Sequence, residues 1–313
     1  MNKFAIITGE PKSINSEIII KFWKKANYIK KKNTFLIGDA DLFKRDALKL
    51  KYRIRIKKIK DLDEIVSNKI CIMEVKLKNF SKFKTKAYLF KCFQIAHDLS
   101  IRKKIKGFIN CPVDKNIFNG TKYKGVTEYL AEKCKIKKNS EVMVLNHEKT
   151  SVVPITTHIR LKNVASSLNK NLISEKLKTL NSFFKKYLNR KPKIAVLGLN
   201  PHNNEMKPGS EEKKIIVPII KKFKKKGFII SGPFASDTLF AANFKNFDII
   251  LGMYHDQVLI PFKTLFKFKG INFTLGLNYM RLSPDHGPAK NIIGKKIADP
   301  SSLIKCVKFL TSL

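Results

Sequence analysis

At 313 residues the chain is long enough for two domains of ordinary size or one large one, and its 43% hydrophobic content favours a buried core over disorder. The formal net charge of +40 invites a nucleic-acid interpretation. We expect no specific nucleic-acid binding, because only 7 of the 64 basic residues are Arg and the Lys residues are spread from Lys3 to Lys308 without forming one patch.

Cysteine content and hydropathy are typical of a cytoplasmic protein. The five cysteines are odd in number and include no C-x-x-C pair, which favours reduced, mostly buried thiols. Apolar runs stay shorter than a membrane span, and the N-terminus leads directly into a predicted strand. We therefore expect neither a membrane span nor a signal peptide.

Short apolar runs alternate along the chain with segments of helical periodicity. The predicted strands are 4–8, 34–37, 70–72, 107–112, 142–145, 152–155, 193–199, 227–231, 249–251 and 271–275. The predicted helices are 16–23 with Ser16 near its N-cap, 88–103, 129–133, 162–188 as one helix or two, 211–226, and one beginning at Asp237. This alternation predicts an α/β fold with a parallel or mostly parallel sheet. No linker marks a domain boundary.

The stretch 247–286 brings polar residues to the ends of two predicted strands, 249–251 and 271–275. The polar residues that follow or lie between these strands include Tyr254, His255, Asp256, Gln257, Lys263, Arg281, Asp285 and His286. Ligands of open α/β sheets bind beyond the carboxyl ends of the strands, so this stretch is a candidate site. The alternative is a pair of ordinary polar loops.

Three of the six histidines share the same position relative to a predicted strand. His158, His202 and His255 each lie a few residues past a buried strand, at separations of 44 and 53 residues that exclude a local metal motif. Their convergence is a hypothesis from topology. Three imidazoles with open positions suit Zn²⁺, Ni²⁺, Co²⁺ or another divalent ion acting as a Lewis acid, and the alternative is three structural histidines. His97 falls inside a predicted helix and is interpreted as structural.

Several long motifs resemble one enzyme family. They are TTH at 156–158, VLGLNPH at 196–202, GPFASDTLF at 232–240, MYHDQ at 253–257 and TLGLNYMRLSPDHG at 274–287. In this order they resemble the 4-hydroxythreonine-4-phosphate dehydrogenase family, which carries out the oxidation step of vitamin B6 biosynthesis. The similarity covers nearly the whole chain and is weakest over residues 41–86.

The resemblance implies an architecture. It implies two α/β/α domains with mostly parallel sheets and an interdomain active-site cleft, as in isocitrate and isopropylmalate dehydrogenases. Placed on this chain, the first domain would comprise 1–128 and 282–313, and the second 129–281. The resemblance also implies a cytoplasmic homodimer whose metal site draws ligands from both subunits.

The resemblance implies functional residues as well. The metal ligands fall on His158, His202 and His255, for a divalent Zn, Mg or Co ion. The substrate-binding positions fall on Thr127, Lys263, Asn272 and Arg281. The cofactor would be NAD or NADP, bound without a G-x-G-x-x-G fingerprint, which this sequence lacks.

The implied reaction converts 4-phosphooxy-L-threonine to a β-keto acid that loses carbon dioxide. Lys263, which we also consider catalytic, and Arg281 would hold anionic groups of the substrate. Asp256 or Asp285 could orient a ligand or accept a proton. His286 could line the site, and the alternative for it is a structural loop position.

The chain departs from the family pattern at three places. The family usually has His-Thr-Glu where this chain has Val-Thr-Glu, so Val126 replaces a substrate-contacting His with a side chain that cannot hydrogen bond. Segments 9–15 and 203–208 replace glycine-rich runs. Three explanations stay open for the Val126 position: Lys122 or Lys124 replaces the lost contact, the substrate has shifted, or activity is reduced.

Three rival functions accompany the leading one. The first is a metal-dependent dehydrogenase of another phosphorylated four-carbon hydroxy acid, which the Val126 departure keeps open. The second is a non-catalytic, basic nucleic-acid-binding derivative that would use the net charge of +40. The third is an inactive dimeric scaffold that binds neither metal nor cofactor.

Overall fold

The computed structural model describes residues 3–78, 80–123 and 125–313, and within these ranges the chain alternates strands with helices. The strands are β1 (Phe4–Ile7), β2 (Thr34–Gly38), β3 (Ile56–Ile59), β4 (Ile70–Glu74), β5 (Gly107–Asn110), β6 (Val142–His147), β7 (Thr150–Pro154), β8 (Lys193–Leu197), β9 (Ile229–Phe234), β10 (Ile249–Gly252), β11 (Ile271–Leu275) and β12 (Met280–Pro284).

The helices lie mostly between successive strands. They are α1 (Asn15–Lys25), α2 (Tyr28–Asn33), α3 (Ala40–Lys49), α4 (Lys82–Ile101), α5 (Val126–Lys133), α6 (Val164–Ser167), α7 (Lys170–Leu188), α8 (Val217–Lys225), α9 (Ser236–Thr238), α10 (His255–Phe266) and α11 (Ser301–Ser312). Wider π-helical turns at Glu212–Ile216 and Leu239–Asn243 adjoin α8 and α9, and short 3₁₀ turns occur at Leu62–Glu64, Lys115–Phe118, Leu161–Asn163, Phe244–Asn246 and Lys290–Ile292. Among the described residues, none of these helices has both the length and the apolar character that a membrane crossing needs.

The chain divides into two compact units. Unit 1 comprises Met1–Val126 and Asn278–Ser312, and unit 2 comprises Thr127–Leu277. Unit 1 is therefore built from two separate stretches of chain. The domain boundaries expected from the sequence, 128/129 and 281/282, stay a prediction.

Unit 1 contains a parallel sheet in the order β3-β4-β2-β1-β5-β12. Its central strand β1, with the sequence Phe-Ala-Ile-Ile, is buried at every position. Continuous apolar runs of this kind are typical of strands covered by helices on both faces. The carboxyl ends of β1 and β5 lie side by side, since Ile7 pairs with Asn110.

Unit 2 contains a mixed sheet in the order β11-β6-β7-β10-β8-β9. Strand β6 runs antiparallel to both of its neighbours, β11 and β7, and forms a hairpin with β7. Strands β7, β10, β8 and β9 are mutually parallel. The parallel part of this sheet determines where its strand-end loops meet.

Helix α10 anchors one face of the unit 2 sheet. Its residues Val258, Leu259 and Phe262 point into a cluster that includes Val152, Ala195, Leu197 and Ile250 from the strands beneath. On the other side of the helix, Ile260 is 62% exposed. This division of apolar and exposed positions fixes the rotation of α10, and with it the direction of its first turn.

The α/β class and the mostly parallel sheet are confirmed, and some details of the prediction are wrong. Residues 280–284 form β12 instead of a loop, and β6 and β7 pair antiparallel where strict alternation would give parallel neighbours. Helix α1 begins at Asn15 with Ile14 at its N-cap, so Ser16 lies inside the first turn. Its hydroxyl donates to Asp46 instead, at 2.8 Å.

All five cysteines are free and buried, as their number and spacing predict: Cys71, Cys92, Cys111, Cys134 and Cys306. Burial raises the pKa of the Cys92, Cys111 and Cys306 thiols well above the ordinary value. Thiols held neutral in this way act as small apolar side chains of the core.

Candidate active site

The three candidate histidines follow three neighbouring parallel strands of unit 2. His158 comes after β7, His202 after β8 and His255 after β10. Strand β10 pairs with β7 on one side and with β8 on the other, so the three carboxyl ends lie at one edge of the sheet. The three histidines therefore follow the strand ends as the sequence predicts. Ligand sites of such sheets form at this edge.

His158 and His255 lie together. Their ring centroids are 5.7 Å apart and their planes are inclined by 44°. The Nδ1 atom of each ring faces a carboxylate: Asp256 Oδ1 lies 2.6 Å from His255 Nδ1, and Glu128 Oε1 lies 3.9 Å from His158 Nδ1. A carboxylate at Nδ1 leaves Nε2 as the ligand atom, which is the usual arrangement of metal-binding histidines. This pair fits a divalent cation.

His202 begins a left-handed turn of five non-glycine residues, His202–Met206, whose φ angles lie between 47° and 57°. Left-handed backbone costs roughly 1–2 kcal/mol per residue, and asparagine tolerates it better than most side chains. Asn203 stabilises the turn by donating from Nδ2 to Pro233 O at 3.2 Å. Gly198 makes room for this amide, since a Cβ there would lie 2.1 Å from Asn203 Oδ1.

The described residues do not bring all three histidines together within one chain. The ring nitrogens of His158, His202 and His255 do not all lie within 4.8 Å of one another in the described ranges. The structure therefore joins two of the three predicted ligands and leaves His202 on the adjacent strand end.

A buried carboxylate anchors the segment that leads into the left-handed turn. Glu212 is 0% exposed, and its Oε1 accepts the backbone N–H groups of Leu199 and Asn200, each at 2.8 Å. The Asn200 side-chain amide donates to Glu212 Oε2 at 3.1 Å. Burial alone would raise the pKa of Glu212, but the hydrogen bonds from Asn200 and Leu199 together outweigh it, so this pKa lies below its ordinary value.

Glu212→Gln is expected to lower the free energy of unfolding by about 1–3 kcal/mol at neutral pH, because charge-assisted hydrogen bonds become neutral ones. The native pKa is lowered, so this contribution is fully present above the ordinary carboxyl pKa and is lost as the pH falls through the native value. Urea unfolding of both proteins from neutral pH down to about pH 3 measures the difference.

A difference between Glu212→Gln and the parent chain that stays constant over this pH range would contradict the assignment. The exposed Glu205 supplies the control. Glu205→Gln is expected to change the free energy of unfolding by less than about 0.5 kcal/mol.

The start of α5 packs against β11. The Thr127 hydroxyl lies 3.2 Å from the Thr274 hydroxyl. Asn272, two residues before Thr274 and on the same face of β11, has a buried Oδ1 with no hydrogen-bond partner among the described residues. Unpartnered buried oxygens are rare, so Asn272 Oδ1 could accept a hydrogen bond from a bound ligand. Val126 is only 7% exposed and packs as an apolar residue.

Helix α10 carries three of the candidate residues. His255 opens the helix, Asp256 follows it, and Lys263 lies two turns later with Nζ 5.3 Å from the centroid of the Phe268 ring. The Asp256 side chain is 67% exposed and bonded to His255, which fits an orienting role. Of the two lysines considered as substitutes at the Val126 position, Lys122 has Nζ 5.6 Å from the Tyr123 ring centroid and Lys124 lies outside the described residues.

Arg281 does not lie in a loop after β11, as the sequence pattern predicts, but in β12 of unit 1. It is 4% exposed, and its Nε donates to Asn110 Oδ1 at 2.7 Å, which provides one of the hydrogen bonds that a buried guanidinium needs. Sequence reasoning missed Asn110, although it is a polar residue at the end of a buried strand. Asp285 and His286 do follow β12, and the Asp285 backbone N–H donates to Ser302 Oγ at 3.0 Å.

Unit 1 has a groove of about 920 Å³ at the carboxyl ends of β1 and β5. Its lining includes Glu10, Lys12, Phe80, Phe83, Asp114 and Lys290. Lys290 Nζ lies 2.8 Å from Asp114 Oδ2, and burial raises the pKa of the Glu10 carboxyl. The sequence contains one signal for this groove that the prediction did not use, since Glu10 and Asp114 each come two residues after a predicted strand.

A second carboxylate group has a structural explanation. Asp39, Asp41 and Glu74 are the one set of three potential ligands with atoms within 4.8 Å in the described part of the chain. Lys58 bridges Asp41 and Glu74 at 3.0 Å each, and Lys76 pairs with Asp41 as well. Asp39 caps α3 through Asp41 N and Leu42 N. These bonds account for the cluster as an ion-pair network.

Comparison with known proteins gives a consistent picture. The sequence model of a family described as "Pyridoxal phosphate biosynthetic protein PdxA" matches residues 30–310. A 4-hydroxythreonine-4-phosphate dehydrogenase from Sulfurihydrogenibium sp. (strain YO3AOP1) is 40% identical over 98% of this chain and 97% of the relative. The crystal structure of 4-hydroxythreonine-4-phosphate dehydrogenase from Klebsiella pneumoniae is 27% identical, with a TM-score of 0.85 and complete coverage of both chains.

A more distant likeness concerns the fold alone. The isocitrate dehydrogenase from Methylococcus capsulatus has a TM-score of 0.51 at 13% identity, over 99% of this chain and 85% of that one. The relation to isocitrate dehydrogenase-like folds that the sequence motifs imply is therefore confirmed at the level of architecture.

Proposed function

Because this chain belongs to the PdxA family of pyridoxal phosphate biosynthetic proteins, we propose that it is a 4-hydroxythreonine-4-phosphate dehydrogenase. The observation that carries the proposal is the full-length relation to the Sulfurihydrogenibium protein of that name, which is 40% identical over 98% of this chain. The chain thus acts as an oxidoreductase in pyridoxal phosphate biosynthesis. The comparisons give no support to a nucleic-acid-binding derivative or to a dehydrogenase of another hydroxy acid.

The reaction has two chemical stages. First, 4-phosphooxy-L-threonine would lose hydride from its carbinol carbon and the proton of its hydroxyl, which gives 2-amino-3-oxo-4-phosphooxybutanoate; a bound nicotinamide cofactor would supply the hydride acceptor and a base would take the proton. Second, the bond to the carboxylate breaks, carbon dioxide leaves, and the remaining electron pair is protonated. The product is 3-amino-2-oxopropyl phosphate.

His158, His202 and His255 are the residues that would hold a divalent ion such as Zn²⁺, Mg²⁺ or Co²⁺. A bound divalent ion supplies Lewis-acid stabilisation of negative charge on a substrate oxygen. Asp256 fixes the His255 ring through its bond at Nδ1, and the Glu128 carboxylate faces Nδ1 of His158. We propose that the chain forms a homodimer, as the family resemblance implies, in which a second copy of the chain would complete the ligand set.

The substrate-binding roles rest on charge and hydrogen-bonding capacity. Thr127 and the buried Oδ1 of Asn272 offer polar contacts in unit 2, where Lys263 would bind an anionic group and is our candidate for a catalytic cation. In unit 1, Asn110 fixes the plane of the Arg281 guanidinium. A fixed guanidinium fork suits a carboxylate or a phosphate.

The groove of unit 1 is our candidate for the nicotinamide cofactor, NAD or NADP. It lies beyond the carboxyl ends of two parallel strands, where dinucleotides bind in related sheets. Phe83 is 79% exposed and offers a face for a purine ring, while Lys12, whose Nζ lies 4.5 Å from the Phe80 ring centroid, offers positive charge for phosphates. We place the enzyme in the cytoplasm, where this cofactor and reduced thiols are found.

The test is turnover of 4-phosphooxy-L-threonine by the purified, metal-loaded chain, with NAD⁺ and NADP⁺ in parallel and reduced nicotinamide measured by its absorbance. We expect turnover with one of the two cofactors and none with 4-hydroxy-L-threonine, which lacks the phosphate.

The variant Val126→His belongs in the same assay, since it restores the residue usual in the family. Turnover by the parent chain would support the proposal and mean that Val126 is tolerated. If the parent chain is silent and Val126→His turns over, the natural substrate differs and the proposed substrate is wrong.

A further inference from the structure

The Gln257 side chain forms hydrogen bonds with three segments of unit 2, and no role has been assigned to it so far. Its Oε1 accepts the Met253 N–H at 2.7 Å. Its Nε2 donates to Gly198 O at 2.7 Å and to Ser236 Oγ at 2.8 Å. One acceptor and two donors are thus satisfied by three partners far apart in sequence.

Each partner of Gln257 lies where a strand of unit 2 ends. Met253 directly follows β10, Gly198 directly follows β8, and Ser236 opens α9 soon after β9. Strands β10, β8 and β9 are adjacent and parallel. The amide therefore sets the spacing of three neighbouring strand-end segments, two of which lead into His255 and His202.

The hydrogen bonds extend to a fourth strand end, that of β7. The Met253 carbonyl accepts from Thr156 twice, from Oγ1 at 2.7 Å and from the backbone N–H at 3.1 Å. Thr156 is 5% exposed and lies two residues before His158. Gln257 bonds the backbone N–H of Met253 and Thr156 bonds its carbonyl, so the segments bearing all three histidines belong to one hydrogen-bond network.

Only glutamine meets these requirements at this position. Methionine has a similar length but loses all three bonds. Glutamate could still accept from Met253 N–H and from the Ser236 hydroxyl, yet its negative charge would face the Gly198 carbonyl oxygen. Gly252 adds a spatial limit, since a Cβ there would lie 3.0 Å from Gln257 Oε1.

From these contacts we propose that Gln257 is a positioning residue that sets the geometry of the His202 and His255 segments for metal binding. The proposal rests on the proposed metal role of these histidines. Outer hydrogen-bond partners of metal ligands change metal affinity by about 10- to 100-fold when removed.

The test is titration of the metal-free, full-length protein with Co²⁺ alone, followed by its visible absorption, together with the melting temperature without metal. We expect Gln257→Met to raise the Co²⁺ dissociation constant about 10- to 100-fold and to alter the absorption band. Gln257→Glu and Ser236→Ala, which lose fewer bonds, should give smaller rises in that order. If Gln257→Met does not fold, the Co²⁺ constants of Gln257→Glu and Ser236→Ala test the proposal instead.

Two controls separate positioning from general stability. Leu177→Ala removes a fully buried side chain of α7 in unit 2, so it should lower the melting temperature and leave the Co²⁺ constant unchanged. Gln94→Met removes a side-chain amide that donates to Asp98 in unit 1, and should change neither strongly.

The two proposals fail in different ways. If His255→Ala weakens Co²⁺ binding while the Gln257 variants bind Co²⁺ like the parent chain, Gln257 has no positioning role and the metal site stands. If the Gln257 variants differ from the parent only in melting temperature, Gln257 likewise has no positioning role. If His255→Ala itself binds Co²⁺ like the parent chain, the metal role and the role of Gln257 are both wrong.

Discussion

His255→Ala is expected to reduce kcat/KM for 4-phosphooxy-L-threonine by about 10³-fold or more, because a Lewis acid contributes several kcal/mol to the stabilisation of the transition state. His255 is the first residue of α10, it lies beside His158, and Asp256 fixes its ring. Its loss removes one ligand without disturbing the buried face of the helix. The measurement combines steady-state kinetics with the metal content of the purified protein.

The matched control for His255→Ala is His147→Ala. His147 belongs to the same unit and stacks on Phe266 with ring centroids 4.5 Å apart, at the far end of the helix that His255 opens. We expect it to keep turnover within a few fold of the parent chain. Full turnover by His255→Ala, or equal losses in both variants, would contradict the assignment of His255 to the site.

Phe262→Ala is expected to lower the free energy of unfolding by about 3–5 kcal/mol, the range found when a buried aromatic side chain is truncated. Phe262 is 0% exposed and packs among Leu197, Ile250 and Val258. Truncation would leave a cavity beneath the helix that carries His255 and Lys263. Urea unfolding followed by circular dichroism measures the change.

The same helix supplies the control for Phe262→Ala. Ile260 is 62% exposed, so Ile260→Ala removes apolar atoms that water already reaches. We expect a change of less than about 0.5 kcal/mol. Equal losses in the two variants would mean that α10 is not oriented as described. A loss below about 1 kcal/mol in Phe262→Ala would mean that the surrounding core residues move in to fill the space of the removed ring.

The fold could be predicted well wherever a strand is a continuous apolar run. Strands such as β1, β8 and β10 can be predicted directly from their apolar runs because both of their faces are buried. Strand β12 could not be found in this way, since Arg281 interrupts its apolar pattern. Asn110, which accepts a hydrogen bond from this arginine, lies 171 positions away, and no local pattern contains that information.

The candidate site could be predicted in its location but not in its internal bonds. The strand-end positions of His158, His202 and His255 follow from the alternation of elements, because parallel strands place their carboxyl ends at one edge. The roles of Glu128 and Gln257 depend on side-chain contacts between a helix and the segments that follow the strands. The left-handed turn at His202 depends on room beside Gly198, which periodicity does not encode.

The division of unit 1 into two stretches of chain affects the order in which the protein can form during synthesis. Strand β5 leaves the ribosome long before β12, its parallel neighbour, because all of unit 2 is translated between them. Unit 2 is continuous, so it can complete its sheet while unit 1 still lacks an edge. The nascent chain therefore exposes one side of β5 for the time that about 170 further residues require, which at roughly 5–20 residues per second is about 10–30 seconds. During that interval the exposed edge of β5 is open to a chaperone or to pairing with another nascent chain.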